Sequence, residues 1–161
     1  MARTKTAKKE IVEKVKTIVD GAKSLVFVNV HGLKVADTTA MRKKLKTDKV
    51  GFFVAKKTLS KIALNEKNFS GNMPELVGEF GMAYGEDLVA PARSIFEFQN
   101  KHKGMINIVG GVFEGKYMSK EEMVAIASIP PANVLHGMFV NIINSPIQRF
   151  VIALSEISKK K

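Results

Sequence analysis

Apolar residues recur at helical spacing through the first 22 positions, then close up into short β-rich runs, and these two modes alternate to about residue 129. Ile11, Val12, Val15, Ile18, Val19 and Ala22 give one face of a helix over residues 5–22, with the lysines on the other face. Leu25 to Val30 is an apolar run of strand length, ended by a turn at His31-Gly32. Asp37 is placed to N-cap a second helix that turns Met41 and Leu45 inward and Arg42, Lys43, Lys44 and Lys46 outward. Val50 to Val54 reads as a second strand, and Lys56-Lys57-Thr58 opens a short third helix with Leu59, Ile62 and Ala63. Residues 65–74 have loop composition, and Val77 to Tyr84 reads as a strand interrupted by Gly78 and Gly81. Asp87 is expected to cap a fourth helix bearing Leu88, Ala92, Ile95 and Phe96, with Pro91 early enough to be tolerated. Met105 to Val109 and Val112 to Glu114 read as strands around Gly110-Gly111, a bulge or tight turn. Ser119 and Glu122 have capping-box spacing, so a short helix starts at Lys120 and ends before Ile129-Pro130-Pro131.

Alternating strands and helices predict a small α/β or α+β sheet with crossover helices over residues 1–129. Residues 130–161 form a second unit. Leu135, Met138, Phe139, Ile142 and Ile143 repeat at helical spacing, and Ile147, Phe150, Val151, Leu154 and Ile157 repeat the pattern. Arg149 and Glu156 are the only charges between 132 and 158. Each such side chain left in water forfeits about 1.5–3 kcal/mol of burial, so the stripe is expected to lie on its own domain or on another protein. Ser145-Pro146 divides it, because proline is accepted at the first position of a helix; a kink is expected there, not a break. No uninterrupted apolar run reaches the length of a membrane span, and the first residues lack a secretory segment, so no membrane partner is expected.

Charge sharpens the picture. Residues 1–61 carry 16 lysines and arginines against 5 aspartates and glutamates, whereas residues 62–161 carry 10 of each. The whole net charge of +11 therefore sits in the first two-fifths of the chain. A basic field confined to one part of a fold is the footprint of a polyanion partner, with a solvated basic face as the bland alternative. The 45% hydrophobic fraction suffices for a core, and the absence of cysteine removes disulfide and thiolate-metal chemistry.

Catalytic chemistry is missing. His31, His102 and His136 share no motif and no metal-ligand spacing, and Gly110-Gly111 is followed by no Gly-Lys-Ser/Thr. Glu121 and Glu122 belong to a helix start, where the macrodipole favours them. No nucleophile–base pair is visible, so no enzyme, cofactor or metal is expected.

Five stretches stand in order along the chain: Ser24-Leu-Val-Phe-Val-Asn-Val-His-Gly-Leu33, Met41-Arg-Lys-Lys-Leu45, Phe53-Val-Ala-Lys-Lys-Thr-Leu59, Ile108-Val-Gly-Gly-Val-Phe-Glu-Gly115 and Ile129-Pro-Pro131. Together they resemble the large-subunit ribosomal protein family that anchors the stalk, number ten of the universal set. The resemblance runs from about residue 8 to the end, in family order. Lys57 stands where the family usually has asparagine, and Pro131 where it usually has a polar residue. The resemblance implies a ferredoxin-like α/β (α+β) domain with a mixed sheet and packed helices, followed by a long protruding C-terminal helix. It implies a cytoplasmic, ribosome-bound structural protein with no catalytic role. It further implies that the domain binds large-subunit rRNA beside the stalk-base protein numbered eleven, that the helix carries acidic stalk-protein dimers, and that the assembly recruits translational GTPases.

On this reading rRNA contacts are expected from Arg3, Lys5, Lys8 and Lys9, from backbone approach at the His31-Gly32-Leu33 turn, from Arg42 and Lys43, and from Lys56, Lys57 and Lys61. Thr58 either donates to a phosphate or caps the third helix. The two halves of the tail stripe are expected to hold two stalk dimers, the chain stopping at Lys159-Lys160-Lys161 without a third segment. The competing readings are a non-ribosomal RNA-binding or assembly factor of the same fold that self-dimerises through the tail, and a small enzyme with a site near Gly110 and the histidines.

Overall fold

The structure, a computed structural model, describes residues 5–67, 69–76, 78–102 and 104–159. It divides into two compact units, Met1–Ile129 and Pro130–Lys161. The first contains α1 (Lys5–Gly21), β1 (Ser24–Val30), α2 (Val35–Thr47), β2 (Gly51–Val54), α3 (Lys57–Asn65), β3 (Phe80–Gly85), α4 (Ala90–Lys101), β4 (Ile106–Phe113), β5 (Lys116–Met118) and α5 (Lys120–Ala127). The second holds α6 (Ala132–Lys159).

The strands form one sheet in the order β2-β3-β1-β4-β5. β3 lies between β1 and β2, and β1 between β3 and β4, so α2 and α4 each span a split βαβ unit. That is the ferredoxin-like arrangement, with β5 added at one edge. The expected mixed sheet is antiparallel in every ladder, and the parallel pairing is an isolated bridge between Ser70 and Lys116.

Both faces of the sheet are buried, because successive strand residues point to opposite sides. Val26 and Val28 pack with Met41, Leu45, Ile95, Phe98 and Met123 from α2, α4 and α5. Leu25 and Phe27 pack with Val15, Val19, Ala63 and Leu64 from α1 and α3. β1 is central and covered on both sides, which is why Leu25 to Val28 is a continuous apolar run.

Four boundaries differ from the sequence reading. α2 starts one turn earlier, after Lys34, so Asp37 lies in its first turn instead of capping it. α4 starts at Ala90; Asp87 accepts from the Val89 N–H at 3.1 Å, making the turn that precedes the helix. β3 begins at Phe80, three residues after Val77. Gly110-Gly111 separates no strands: β4 runs through both, with a bulge where Phe27 pairs Gly110 and Val28 pairs Ile108. The extra residue, Val109, shifts the alternation, so Ile108 packs on one face and Val112 on the other. A Cβ on Gly111 would lie 2.4 Å from the Leu25 carbonyl oxygen and 2.5 Å from Met123 Cε, so close packing selects glycine there. The turn lies at Glu114-Gly115, both at positive φ, between the paired Phe113 and Lys116.

The capping box is formed. Ser119 Oγ accepts from the Glu122 N–H, and the Glu122 carboxylate accepts from the Ser119 N–H. α6 is continuous through Pro146, so Ser145-Pro146 does not break it.

Candidate nucleic-acid interface and apolar helix

β1 and β2 both run antiparallel to β3, hence parallel to each other, and finish at the same end of the sheet. The His31-Gly32 turn follows β1 there, and Lys56-Lys57 follows β2. The Val30 N–H donates to the Glu79 carbonyl at 3.0 Å, tying the loop before β3 to the same end. Lys8, near the start of α1, joins them: Lys8, Lys56 and Lys57 line one groove of about 690 Å³. Residues from two separate stretches of sequence thus converge because α1, β2 and α3 meet at that end.

Ile11, Phe53, Val54, Ala55, Leu59 and Phe80 wall the groove, and Glu79 is its one acidic lining residue. Val54 is 52% exposed. None of these was singled out from sequence as a site residue; Val54, at the end of an apolar strand, was the nearest signal. Lys9 lines a neighbouring groove between α1 and α3 with Val12, Leu59 and Ile62. Lys61 lies one turn beyond Lys57 on α3 and lines neither groove.

Ion pairing separates the lysines into two sets. Lys16 pairs with Glu66, Lys44 with Glu97 and Lys67 with Asp20. Among the described residues Lys8, Lys9, Lys56, Lys57 and Lys61 have no carboxylate at ion-pair distance. Arg3 and the side chain of Lys5 lie outside the described residues.

Other expected contacts lie elsewhere. Arg42 sits 6.0 Å from the Phe52 ring centroid, and Phe52 packs with the α2/α4/α5 cluster. The groove uses the opposite side of β2, through Phe53. Arg42 therefore is not brought together with Lys56 and Lys57, and neither groove includes Lys43, which is exposed. His31 is exposed with its N–H donating to Met105 at 2.8 Å, Gly32 has φ +66 with open space around it, and Leu33 packs on the core. That turn offers backbone and an imidazole, while Leu33 is structural. Thr58 does not cap α3: Lys56 occupies the N-cap position, without a side-chain hydrogen bond. A second cavity, at the other end of the sheet, includes Lys23, Lys49, Asp48, Glu86 and Asp87, so its acids outnumber its bases. No cluster of metal-ligating residues occurs among the described residues.

In the second unit α6 has no buried residue. Phe139 and Phe150 are each 65% exposed. Leu135, Met138, Phe139 and Ile142 recur twelve positions later as Ile147, Phe150, Val151 and Leu154. On an ideal helix that shift is about 18 Å along the axis and about a third of a turn around it. The two sets of anchors face different directions. By length and mean hydropathy of 1.2 the helix also suffices to cross a membrane, contrary to the sequence reading. That reading counted uninterrupted apolar runs, whereas the average tolerates the scattered Asn141, Asn144, Ser145 and Gln148.

Residues 3–100 match the family model described as Ribosomal protein L10. The chain is 33% identical to the large ribosomal subunit protein uL10 of Bacillus licheniformis, over 96% of this chain and 93% of that one. It is 32% identical to that of Shouchella clausii, over 100% and 97%, and 30% identical to that of Clostridium tetani, over 100% and 94%. With the family model matched over residues 3–100 and relatives of that name matched over nearly the whole chain, the chain belongs to the ribosomal protein L10 family and is a structural protein of the large ribosomal subunit, not an enzyme.

Proposed function

We propose that this protein forms the base of the large-subunit stalk in the cytoplasm, with residues 1–129 binding rRNA and residues 130–161 tethering acidic stalk-protein dimers. The observation that carries the first half is the convergence of Lys8, Lys56 and Lys57 on one groove, none of them in an ion pair among the described residues. Lysines free to neutralise phosphates release counterions, which gives salt-dependent affinity. Lys9, Lys61 and the backbone of the His31-Gly32 turn extend the contact.

The second half is supported by the two sets of apolar anchors on α6. A helix is gripped in a groove through i, i+3, i+4, i+7 side chains, and this one offers that pattern twice, for two dimers. A protein partner is favoured over a membrane because Asn141, Asn144, Gln148 and Arg149 fall mid-helix, where a span is driest. The tethered dimers would present translational GTPases to the subunit, beside the stalk-base protein numbered eleven.

Sedimentation tests the reading. The tagged chain should travel with large ribosomal subunits at physiological salt, and should bring acidic stalk protein to them. A chain that stays free of subunits and dimerises through its tail would refute it.

A further inference from the structure

The groove at the strand ends differs from a plain phosphate site in that apolar side chains share its lining with the charged ones. Phe53, Val54 and Leu59 wall it, Lys8, Lys56 and Lys57 supply three cations, and Glu79 supplies one carboxylate. A duplex backbone has no use for such walls. Its phosphates are met by lysines alone, and its bases stay stacked inside. A volume of about 690 Å³ is of the size that receives compact ligands. The net positive lining calls for an anion, and the walls call for a flat apolar body attached to it.

We propose that this groove receives a single unpaired nucleotide, extruded from the rRNA. The proposal rests on the rRNA-binding reading above and sharpens it from shape recognition to a base-specific subsite. The base lies against Phe53 and Val54, as unstacked RNA bases commonly lie on aromatic and apolar side chains. Lys56, Lys57 and Lys8 hold the flanking phosphates. Glu79 sets the selectivity. Its backbone is fixed by the Val30 hydrogen bond, and its exposed side chain has no ion-pair partner among the described residues. A carboxylate accepts hydrogen bonds and cannot donate them, so it favours a base edge carrying an amino or imino N–H and disfavours one presenting only acceptors. The cost of a free carboxylate beside phosphates is what such a selectivity device entails; without a donor to meet, Glu79 merely repels the strand.

The test uses the full chain and a stalk-base rRNA fragment in which each unpaired nucleotide is replaced in turn by an abasic residue. One position should weaken binding roughly tenfold, the loss of one stacked base. Restoring there unsubstituted purine, which stacks but carries neither an amino nor an imino N–H on its pairing edge, should leave binding weaker to wild type than the natural base. Glu79→Ala, an exposed site whose hydrogen bond is made by its backbone, should bind both bases alike. If the intact fragment binds with a steep salt dependence and no abasic substitution changes affinity beyond about twofold, well short of one stacked base, the nucleotide subsite is wrong and the rRNA reading stands. If one position matters but Glu79→Ala retains the preference, Glu79 is not the selector. If the intact fragment shows no salt-dependent binding, the rRNA reading fails, and the subsite with it.

Discussion

Replacing Lys56 and Lys57 by alanine should change how rRNA affinity responds to salt as well as its value. Both residues are exposed, line the groove and have no carboxylate partner among the described residues. Each phosphate neutralised contributes about 0.7–0.9 to the slope of log affinity against log salt, so losing two contacts should lower it by about 1.5. Over a fourfold rise from about 50 to about 200 mM, the wild-type advantage should shrink by close to tenfold. Lys44 provides the control. It is paired with Glu97 between α2 and α4, so its charge is already answered within the protein. Lys44→Ala should leave the slope nearly unchanged. Fluorescence anisotropy of a labelled stalk-base fragment, titrated at four salt concentrations, reads all three proteins. Parallel lines for wild type and the double variant would remove these lysines from the interface. An equal loss of slope in Lys44→Ala would mean that affinity follows total charge, and that convergence on the groove has no special meaning.

In the tail, Phe139→Asp and Phe150→Asp should each remove about one stalk dimer in native mass spectrometry and leave rRNA binding intact; loss of rRNA binding in both would sink the two-unit division. A chain ending at Pro130 should melt cooperatively, since neither hydrophobic cluster includes a residue of α6; a molten product by calorimetry would refute that. Gly111→Ala should cost about 1–3 kcal/mol in urea unfolding, because its Cβ would meet the Leu25 carbonyl oxygen at 2.4 Å, where the strand ladder cannot yield; an unchanged midpoint would show that β4 shifts. The backbone N–H of Ser119 holds the Glu122 carboxyl below the ordinary glutamate range, with the Ser119 hydroxyl adding to it. A depressed folded value adds stability above the unfolded value and loses it as pH falls through the folded one. Glu122→Gln should therefore flatten the acid side of a plot of Tm against pH, and parallel curves would show that the capping charge contributes nothing.

The fold was legible where one physical signal dominated. Ser119 and Glu122 announced α5 because the capping box is a local, two-residue device. Leu25 to Val30 announced a strand because burial on both faces demands a continuous apolar run. Signals shared between alternatives failed. Gly110-Gly111 looks the same whether glycine makes a turn or admits a close neighbour, and only the positions of Leu25 and Met123 decide it. The true turn was hidden because Glu114 takes a positive φ usually given to asparagine or glycine. Asp37 and Asp87 carry capping chemistry, but one sits inside its helix and the other in the turn before it. At the site, charge was legible and partnership was not. Lys16, Lys44, Lys56 and Lys57 read alike in sequence, and only the fold sets Glu66 and Glu97 beside the first two. Nothing in the sequence marked Glu79, which reaches the groove through a loop.

The sheet order limits which surfaces of the domain could meet rRNA under the proposed function. Domains with a ferredoxin-like sheet that read single strands often do so on an open sheet face, stacking bases on aromatic residues of the central strands. Here that surface does not exist. α1 and α3 cover one face through Val15, Val19, Ala63 and Leu64, and α2, α4 and α5 cover the other. Phe27, the aromatic of the central strand, is fully buried and packs 5.6 Å from Phe80. Bases cannot stack on it without removing a helix and exposing a whole cluster, each large side chain costing about 1.5–3 kcal/mol. Under the rRNA-binding proposal, recognition would therefore be displaced to what the covering helices leave free, their outer faces and the ends of the strands. The groove of Lys8, Lys56 and Lys57 lies where both meet, at the start of α1 and the junction of β2 with α3. On that proposal the added helix α1 has two effects that come from one placement: it covers a sheet face, and its first turns help build the groove proposed to take the face's place.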